Sequence, residues 1–501
     1  MLLEILKKPT LGHYVRYIEC YPRPLQDSAL FLLRGPQRNL SDEEMTLLRA
    51  AVRRAGFAYE EKLLMNMLMQ KEPQRFLDTD SIYSDEDPSG PVITQALTAL
   101  LISVSPNLVS MALAPPFYRF TDLDYFAPNA AGNEEAYGDF CEGYFCEGFH
   151  EGLCQGRNCV DVQFPLVRLF QGANASPSAK PYLQNLQKVY LINSDEGLAQ
   201  DRYYVMLDFI GITTLFDKLL SIEYVGTDLM REHVDPIPDI KWDESNISKI
   251  SINHAYVNST FICHVLARCK AVKEFQYSVG GRALWDARPV FNPKAFIKIL
   301  CKHMKTMECL DIDTHFLPYG CHSITNIVNH EMSPMDEFDD PLEARNPWGP
   351  WEDEQYVETV KFLRKVWEYN GSLRDFLVLK RLSLNVNFLL YFAKGVKEGL
   401  GEKQDRVMLV DCLPPSLEYL CIRGYLRGEM EEHDFQIDAL MKAFNAGSLY
   451  LKEINGVEGM IPDAREVGHP NMEDLMWTLK DAGYETDGYK EGAEDSNRED
   501  I

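Results

Sequence analysis

The stretch Met307-Glu-Cys-Leu-Asp-Ile312 contains the short pattern on which the fold of this 501-residue chain depends. It has the form apolar-x-x-apolar-x-apolar, and its last four residues alternate between apolar and polar. That alternation is the period of a β-strand with one buried face. The same form recurs at 15–20, 108–113, 186–191, 219–224, 247–252, 272–277, 379–384 and 417–422, with a shortened tenth case at 451–454.

The spacing of these segments is what indicates a repeat, because a single match is expected by chance in a chain that is 46% apolar. The starts at 186, 219, 247, 272 and 307 lie 25 to 35 residues apart, and those at 379, 417 and 451 lie 34 to 38 apart. Such intervals suit a strand–helix repeat of the leucine-rich type, toward or above the long end of its range. The wider gaps must contain further repeats or insertions.

The stretches between the strands often read as helices with recognisable first residues. Asn258 is an N-cap ahead of an apolar stripe, and Asn292 is an N-cap followed by a proline at the first helical position. Residues 434–444 repeat the scheme. Near the start of the chain, a capping box of Ser41 and Glu44 begins a longer helical region.

A strand–helix unit cannot bury its apolar face alone, so we expect stacked units to share one core and to form a parallel sheet on the concave side. The predicted fold is an α/β solenoid, or horseshoe, with acidic loop insertions. Its polar strand positions point away from the core and form either a binding face or a solvated one; we favour binding. These positions are Lys249, Ser251, Lys273, Glu274, Gln276, Glu308, Cys309, Asp311, Lys380, Arg381, Ser383, Glu418, Tyr419 and Cys421.

The domain organisation follows from where the repeat is interrupted. The predicted solenoid covers residues 1–465, with insertions at about 116–180 and 314–372. An apolar helical face within 466–484 predicts a C-terminal helix that caps the last repeat, where an exposed sheet edge would otherwise invite aggregation. Residues 485–501 are acidic and poor in apolar residues, which predicts a disordered tail.

The net charge of −26, from 76 acidic and 50 basic residues, limits the partners. It argues against a general binder of nucleic acid or of anionic membranes, since both need positive fields, and it favours a basic protein partner. No run of 18 apolar residues is present, and the first residues lack the apolar core of a signal peptide. We therefore expect an intracellular protein, either cytoplasmic or nuclear.

Local catalytic motifs are absent from the sequence. It has no phosphate-binding loop, no dinucleotide fingerprint, no nucleophile elbow and no zinc-protease helix. The sequence therefore predicts a protein that is not an enzyme, with no catalytic residue, no cofactor-binding residue and no cofactor.

One cluster of possible metal ligands stands outside the repeat pattern. Its four thiols and one imidazole are enough donors for a tetrahedral zinc site. The spacing lacks the usual C-x2-C, however, and Phe-Cys-Glu-Gly occurs twice in tandem, which slippage of a short coding repeat explains equally well. The alternatives are a zinc-binding protein or enzyme that uses residues 141–159 and a flexible glycine-rich insertion, which we favour. The residues are Cys141, Cys146, His150, Cys154 and Cys159.

Two of the repeat units resemble fungal leucine-rich-repeat proteins of the F-box-associated type. The segment Lys302-His-Met-Lys-Thr-Met-Glu-Cys-Leu-Asp-Ile-Asp313 looks like their repeat, in which a helix precedes the strand. The segment Leu413-Pro-Pro-Ser-Leu-Glu-Tyr-Leu-Cys-Ile-Arg-Gly424 is similar to another common unit. Residues 2–20 look like the segment that usually follows the F-box. The similarity covers roughly residues 1–30, 90–115 and 180–460.

The resemblance implies a leucine-rich-repeat fold and the recognition of a substrate protein for ubiquitination. Family members that act in ubiquitin ligases carry an F-box ahead of the repeats. This chain starts at the first repeat, so either the F-box is missing or the gene model is truncated. We therefore expect coupling to a Skp1–cullin ligase only if an F-box is supplied.

Overall fold

The computed structural model describes residues 1–20, 40–69, 89–113, 165–192, 205–228, 230–232, 242–279, 292–314, 354–396 and 407–462. Within these ranges the chain has an α/β fold with twelve strands in two parallel sheets. The strands are β1 (Tyr17–Cys20), β2 (Ser110–Leu113), β3 (Lys188–Leu191), β4 (Val205–Leu207), β5 (Tyr224–Asp228), β6 (Met230–Glu232), β7 (Lys249–Asn253), β8 (Glu274–Ser278), β9 (Cys309–Asp313), β10 (Arg381–Asn385), β11 (Tyr419–Arg423) and β12 (Glu453–Asn455).

Helices alternate with the strands along most of the chain. None of the helices in the described ranges is long and apolar enough to cross a membrane. They are α1 (Leu2–Lys7), α2 (Asp42–Arg54), α3 (Glu61–Leu68), α4 (Ser89–Ser103), α5 (Pro165–Ala175), α6 (Phe209–Thr214), α7 (Ser259–Arg268), α8 (Pro293–Cys301), α9 (Glu354–Trp367), α10 (Val386–Lys394), α11 (Leu409–Cys412) and α12 (Glu431–Asn445), with 3-10 turns at Pro9–Tyr14 and Leu373–Asp375.

Ten strands form one open sheet in which the order of strands is the order in the chain, apart from β4 and β6, which pair with each other. Every neighbouring pair is parallel. The pairing aligns one apolar residue from each strand into a single row across the sheet, buried in every strand but β12, where Ile454 is partly buried. This row is Ile18, Met111, Val189, Val225, Ile250, Phe275, Leu310, Leu382, Leu420 and Ile454.

Each unit is attached to the one before it by the same backbone hydrogen bonds. The carbonyl of Ser248, just before β7, accepts from two successive amides of the next unit, those of Lys273 at 2.7 Å and Glu274 at 3.1 Å. Equivalent pairs of bonds occur at all nine steps between the ten strands of this sheet. The backbone therefore repeats geometrically as well as in sequence, and the shared acceptor helps to fix the register of each new strand.

A polar side chain in the turn before the strand adds a second attachment at six of these steps. Asn246 Nδ2 donates to the carbonyl of Lys218 at 3.0 Å, and Ser416 Oγ donates to that of Leu379 at 2.9 Å. Each bond satisfies a backbone carbonyl of the preceding unit that is left without a partner in the strand ladder. The donors are Asn107, Asn185, Ser221, Asn246, Thr306 and Ser416.

The core lies between the sheet and the helices. The second and fourth residues of the strands point into it, and helical residues meet them there. Phe296 of α8, for example, lies between Phe275 of β8 and Phe388 of α10, with ring centroids 6.0 and 5.8 Å apart. One buried apolar cluster runs from Ile5 to Leu451, so the described units share a single core.

The predicted helix starts are confirmed. Ser41 and Glu44 form the capping box of α2, Asn258 accepts from the amide of Phe261 at 2.8 Å, and Asn292 accepts from that of Ala295 at 3.1 Å. The helix predicted at 434–444 is α12, which begins three residues earlier. The helical region predicted after Ser41 is two helices, α2 and α3.

One predicted strand was placed wrongly. The segment at 219–224 was expected to put Ile222 in the buried row, but β5 begins at Tyr224 and Val225 takes that place. The correct pattern consists of Ile222, Val225 and Thr227. It does not match the apolar form because its third residue is a threonine. Burial of Thr227 is offset by a hydrogen bond from its hydroxyl to the carbonyl of Leu191 at 3.2 Å.

Both predicted insertions include a helix of the folded core. Helix α5 lies within 116–180 and buries Leu169 and Phe170, and helix α9 lies within 314–372 and buries Val366. Apolar residues at helical spacing therefore lie within both ranges and belong to the shared core. Residues 114–164 and 315–353, the predicted capping helix at 466–484 and the predicted tail at 485–501 lie outside the described residues.

Candidate functional site: the polar face of the sheet

The first, third and fifth residues of the main-sheet strands form what we call the polar face, opposite the core. Strand pairing places the predicted binding positions there or directly before the strands, in successive rows. The third-position row includes Gly226, Ser251, Gln276, Asp311, Ser383 and Cys421. The structure therefore brings together side chains that are far apart in sequence.

The net charge of the chain does not come from the described units. They contain 31 of the 76 acidic residues and 31 of the 50 basic residues, so the whole excess of −26 belongs to the rest of the sequence. An argument for a basic partner must therefore rest on where charges lie on the polar face.

The middle of the polar face is acidic. Strands β5, β7, β8 and β9, with the residue before each, carry six carboxylates against two lysines. In contrast, β10 and β11 carry three bases against Glu418. The acidic set is Glu223, Asp228, Glu274, Glu308, Asp311 and Asp313, and the two lysines are Lys249 and Lys273.

Three ion pairs join neighbouring strands along the start of this face. The distances between nitrogen and oxygen are 2.7 Å for Lys249–Glu274, 2.9 Å for Lys380–Glu308 and 2.6 Å for Lys452–Glu418. The hydrogen bond from Lys380 lowers the pKa of the Glu308 carboxyl. All six side chains are at least a third exposed, so these pairs add little stability and stay within reach of a partner.

Arg423 crosses the polar face from β11 to β9. Its Nε donates to Ser383 Oγ at 3.1 Å, its Nη2 donates to Asp311 at 3.3 Å, and its Nη1 lies 3.7 Å from Asp313. Burial opposes its positive charge, but the two carboxylates outweigh burial and raise the pKa of the guanidinium. Arg423 therefore satisfies Asp311 and Asp313, and β5 to β8 carry three carboxylates against Lys249 and Lys273.

A hydrogen-bond network centred on Ser251 covers the middle strands. Ser251 Oγ accepts from Asn253 Nδ2 at 3.0 Å and lies 3.1 Å from Gln276 Oε1, to which it donates. The side chain of Tyr224 is also hydrogen-bonded to Ser251. Burial raises the pKa of Tyr224, and the bond to Ser251 offsets part of that rise.

Gly226 makes room for two aromatic rings on this face. A Cβ added to Gly226 would lie 2.8 Å from Tyr224 Cζ and 3.0 Å from Tyr190 Cδ2, closer than real Cβ atoms pack. The glycine therefore allows Tyr224 to lie along its own strand and to reach Ser251.

The carboxyl ends of β5 and β7 hold a further polar group. His254 follows β7 with a positive φ of 47°, and its Nδ1 lies 3.1 Å from Asp228 Oδ1. The backbone amide of His254 donates to Ser278 Oγ at 2.9 Å, which holds this turn in place. Non-glycine residues seldom adopt such a φ, and strain of this kind is concentrated at functional sites.

Sequence reasoning missed the fifth-position row. The six-residue pattern ends at the third apolar residue and therefore makes no prediction for the residue after it. A signal was present, because Ile252, Ile312 and Leu384 are each followed by a polar residue. The missed side chains are Asp228, Asn253, Ser278, Asp313, Asn385 and Arg423.

The predicted cysteine–histidine cluster, Cys141 to Cys159, lies outside the described residues, so the zinc alternative stays a prediction. Among the residues that the structure describes, no group of three or more histidine, cysteine and acidic side chains could hold a metal ion. Burial raises the pKa of Cys269 and Cys301 to about 12, which keeps these core thiols protonated.

No protein-family model matches the chain, and no curated protein matches it significantly.

Proposed function

We propose that this chain is a leucine-rich-repeat-type solenoid that recognises a protein partner without catalysis. The observation that carries the proposal is the polar face of ten in-register parallel strands, which carries more acidic than basic residues on β5 to β9. Only at β2 and β3 do the described residues of this face form an apolar cluster, with Ala112 and Tyr190. A parallel sheet normally has helices on both faces. Among the described residues, the main core lies on one side of the sheet, and every strand places at least one polar side chain on the other.

The leucine-rich-repeat assignment draws support from the regular attachment of the units. The same shared-acceptor hydrogen bonds occur at every step, and the strand–helix intervals suit that repeat. The sequence resemblance points the same way. The more specific proposal, substrate recognition as in F-box proteins, rests on the resemblance alone. A Skp1–cullin ligase would be a partner only if an F-box is supplied.

A basic segment is the partner chemistry that fits the acidic middle of the polar face. Complementary charge speeds encounter and excludes wrong partners. The same charges disfavour nucleic acid and anionic membranes. We place this recognition inside the cell, in the cytoplasm or the nucleus.

A displayed library of twelve-residue peptides selected on the full chain tests this function. We expect the selected peptides to be enriched in lysine and arginine. Neutralising two carboxylates of the face with Glu274→Gln and Glu308→Gln should weaken the best peptide about tenfold in low salt. The matched control is Glu43→Gln with Glu431→Gln, which removes two exposed charges from α2 and α12.

The control pair should leave peptide affinity within twofold of the parent chain. Equal weakening by both pairs would show that only overall charge matters. Selection of peptides without basic residues would remove the basic partner from the proposal.

A further inference from the structure

Asn253 on β7 has a buried oxygen that no described residue satisfies. The side chain is 5% exposed, and its Nδ2 donates to Ser251 Oγ at 3.0 Å. Its Oδ1 has no hydrogen-bond partner within the described part of the chain. A buried carbonyl oxygen without a hydrogen-bond donor is unfavourable, so the site favours a ligand that brings a donor.

The orientation of the amide indicates where that donor would sit. The two polar atoms of an amide point in different directions, so a nitrogen bonded to Ser251 turns the oxygen away from Ser251. Asp228 is the residue paired with Asn253 on β5. His254 comes next in the chain, and its ring nitrogen is held 3.1 Å from the Asp228 carboxylate. We call Asp228, Asn253 and His254 the edge site.

The chemistry of the edge site suits an organic cation. An amide oxygen and a carboxylate are both acceptors, and lysine ammonium and arginine guanidinium groups carry several donors and a positive charge. A metal ion is less well matched, because Asp228 and His254 are two charged or imidazole ligands and no third lies with them among the described residues.

We propose that the edge site takes one lysine or arginine side chain of the partner. This inference rests on the proposed function, because it names the part of the polar face that reads the basic residue. Ammonium or guanidinium protons would bond to Asn253 Oδ1 and to the Asp228 carboxylate. His254 acts as a positioning residue that fixes the carboxylate.

A double-mutant cycle tests the edge site with the best basic peptide from the selection. Each lysine of the peptide is replaced by norleucine and each arginine by citrulline, and affinity is measured for the full chain and for Asn253→Ala and Asp228→Asn. We expect one peptide position at which the replacement lowers affinity about tenfold for the parent chain and less than twofold for either variant. The control is Asn455→Ala, on the same face at β12. For this variant, replacing the same peptide residue should still lower affinity about tenfold.

The outcomes separate the two proposals. If Glu274→Gln with Glu308→Gln weakens the peptide but no position couples to Asp228 or Asn253, the edge site is wrong while recognition by the polar face stands. If the double neutralisation has no effect, the proposed function itself fails. Binding that disappears when EDTA is added would assign the site to a metal ion and overturn the inference. Should a variant not fold, as judged by thermal unfolding, the cycle is run with His254→Asn, since asparagine tolerates a positive φ.

Discussion

Lys298 on α8 and Lys302, the residue directly after this helix, bind the carboxyl ends of its two neighbouring helices. Lys298 is 1% exposed, and its Nζ donates to the carbonyls of Trp367 at 2.9 Å and Tyr369 at 3.1 Å and to Asn370 Oδ1 at 2.8 Å. Lys302 Nζ donates to the carbonyls of Ala267 and Cys269, each at 2.7 Å. Both ammonium groups satisfy carbonyls left open at or just beyond the carboxyl end of a helix, where a positive charge is also favoured.

Replacing Lys298 with methionine should destabilise the protein. The apolar stem is kept, but three acceptors near the end of α9 lose their donor, which we expect to cost about 2–3 kcal/mol of unfolding free energy. Urea unfolding followed by circular dichroism measures the loss. Lys305→Met, at an exposed site just after α8, is the control, and an equal loss there would contradict the assigned role of Lys298.

Two buried histidines should make the protein sensitive to mild acid. Burial lowers the pKa of His264 to about 3, and burial with the nearby charge of Lys302 does the same for His303. Because the folded pKa lies below the ordinary value of 6.5, stability is complete above pH 6.5 and falls as the pH drops from there toward 3. In that window each histidine lowers the free energy of unfolding by up to about 1.4 kcal/mol for every unit by which the pH falls.

The variant His264→Phe isolates one of these contributions. The His264 ring stacks edge-on against Phe362 at 4.0 Å, and its nitrogens have no hydrogen-bond partner in the described part of the chain, so phenylalanine keeps its packing. The loss of stability between pH 7.5 and pH 5.5, measured by urea unfolding, should be smaller in the variant by about 1 kcal/mol. An unchanged loss would mean that His264 is protonated in the folded protein.

At the scale of elements, side chains in the turn before a strand form hydrogen bonds that attach each unit to its neighbours. The turn before β7 shows this, because Asn246 Nδ2 donates to Lys218 O at 3.0 Å and Leu219 O at 3.1 Å, and its Oδ1 accepts from Lys270 Nζ at 2.6 Å. One side chain therefore joins three successive units of the sheet.

Asn246→Ala should cost about 1–2 kcal/mol of unfolding free energy, because two carbonyls lose their donor at a partly exposed position. Differential scanning calorimetry gives the shift in melting temperature. Asn445→Ala, at the exposed end of α12, should change it little. If the two substitutions have the same effect, the turn ladder does not contribute to stability.

The accuracy of the sequence predictions also varied by element. Strands such as β7 and β9 were placed correctly because all three of their patterned residues are apolar and buried. The predicted position of β5 was wrong because a hydrogen-bonded threonine occupies a place where the pattern requires an apolar residue. The edge site could not be predicted, since it depends on the strained turn at His254 and on pairing between β5 and β7, which no local pattern encodes.

At the scale of the whole molecule, stability should vary along the sheet. Each unit contacts its neighbours, so the end units of such an array have one partner where the others have two. The described sheet ends at β1 and at β12, and β12 has three residues. Units in the middle, such as those of β8 and β9, share aromatic core contacts with both sides.

Hydrogen exchange measured by mass spectrometry should show this gradient. We expect the amides of β12 to exchange at least about tenfold faster than those of β8 and β9, because the opening free energy falls toward the ends of an array. Uniform protection across the ten strands would instead show that the sheet opens as one cooperative unit.

The described units contain equal numbers of acidic and basic residues, so they do not contribute to the net negative charge of the chain. The isoelectric point of 4.9 is set by residues that form none of the ion pairs discussed above. Amide substitutions in those other segments would move the isoelectric point toward neutrality while leaving the salt bridges of the sheet intact. Solubility and electrophoretic behaviour can therefore be altered without changing a single charge on the strands of the sheet.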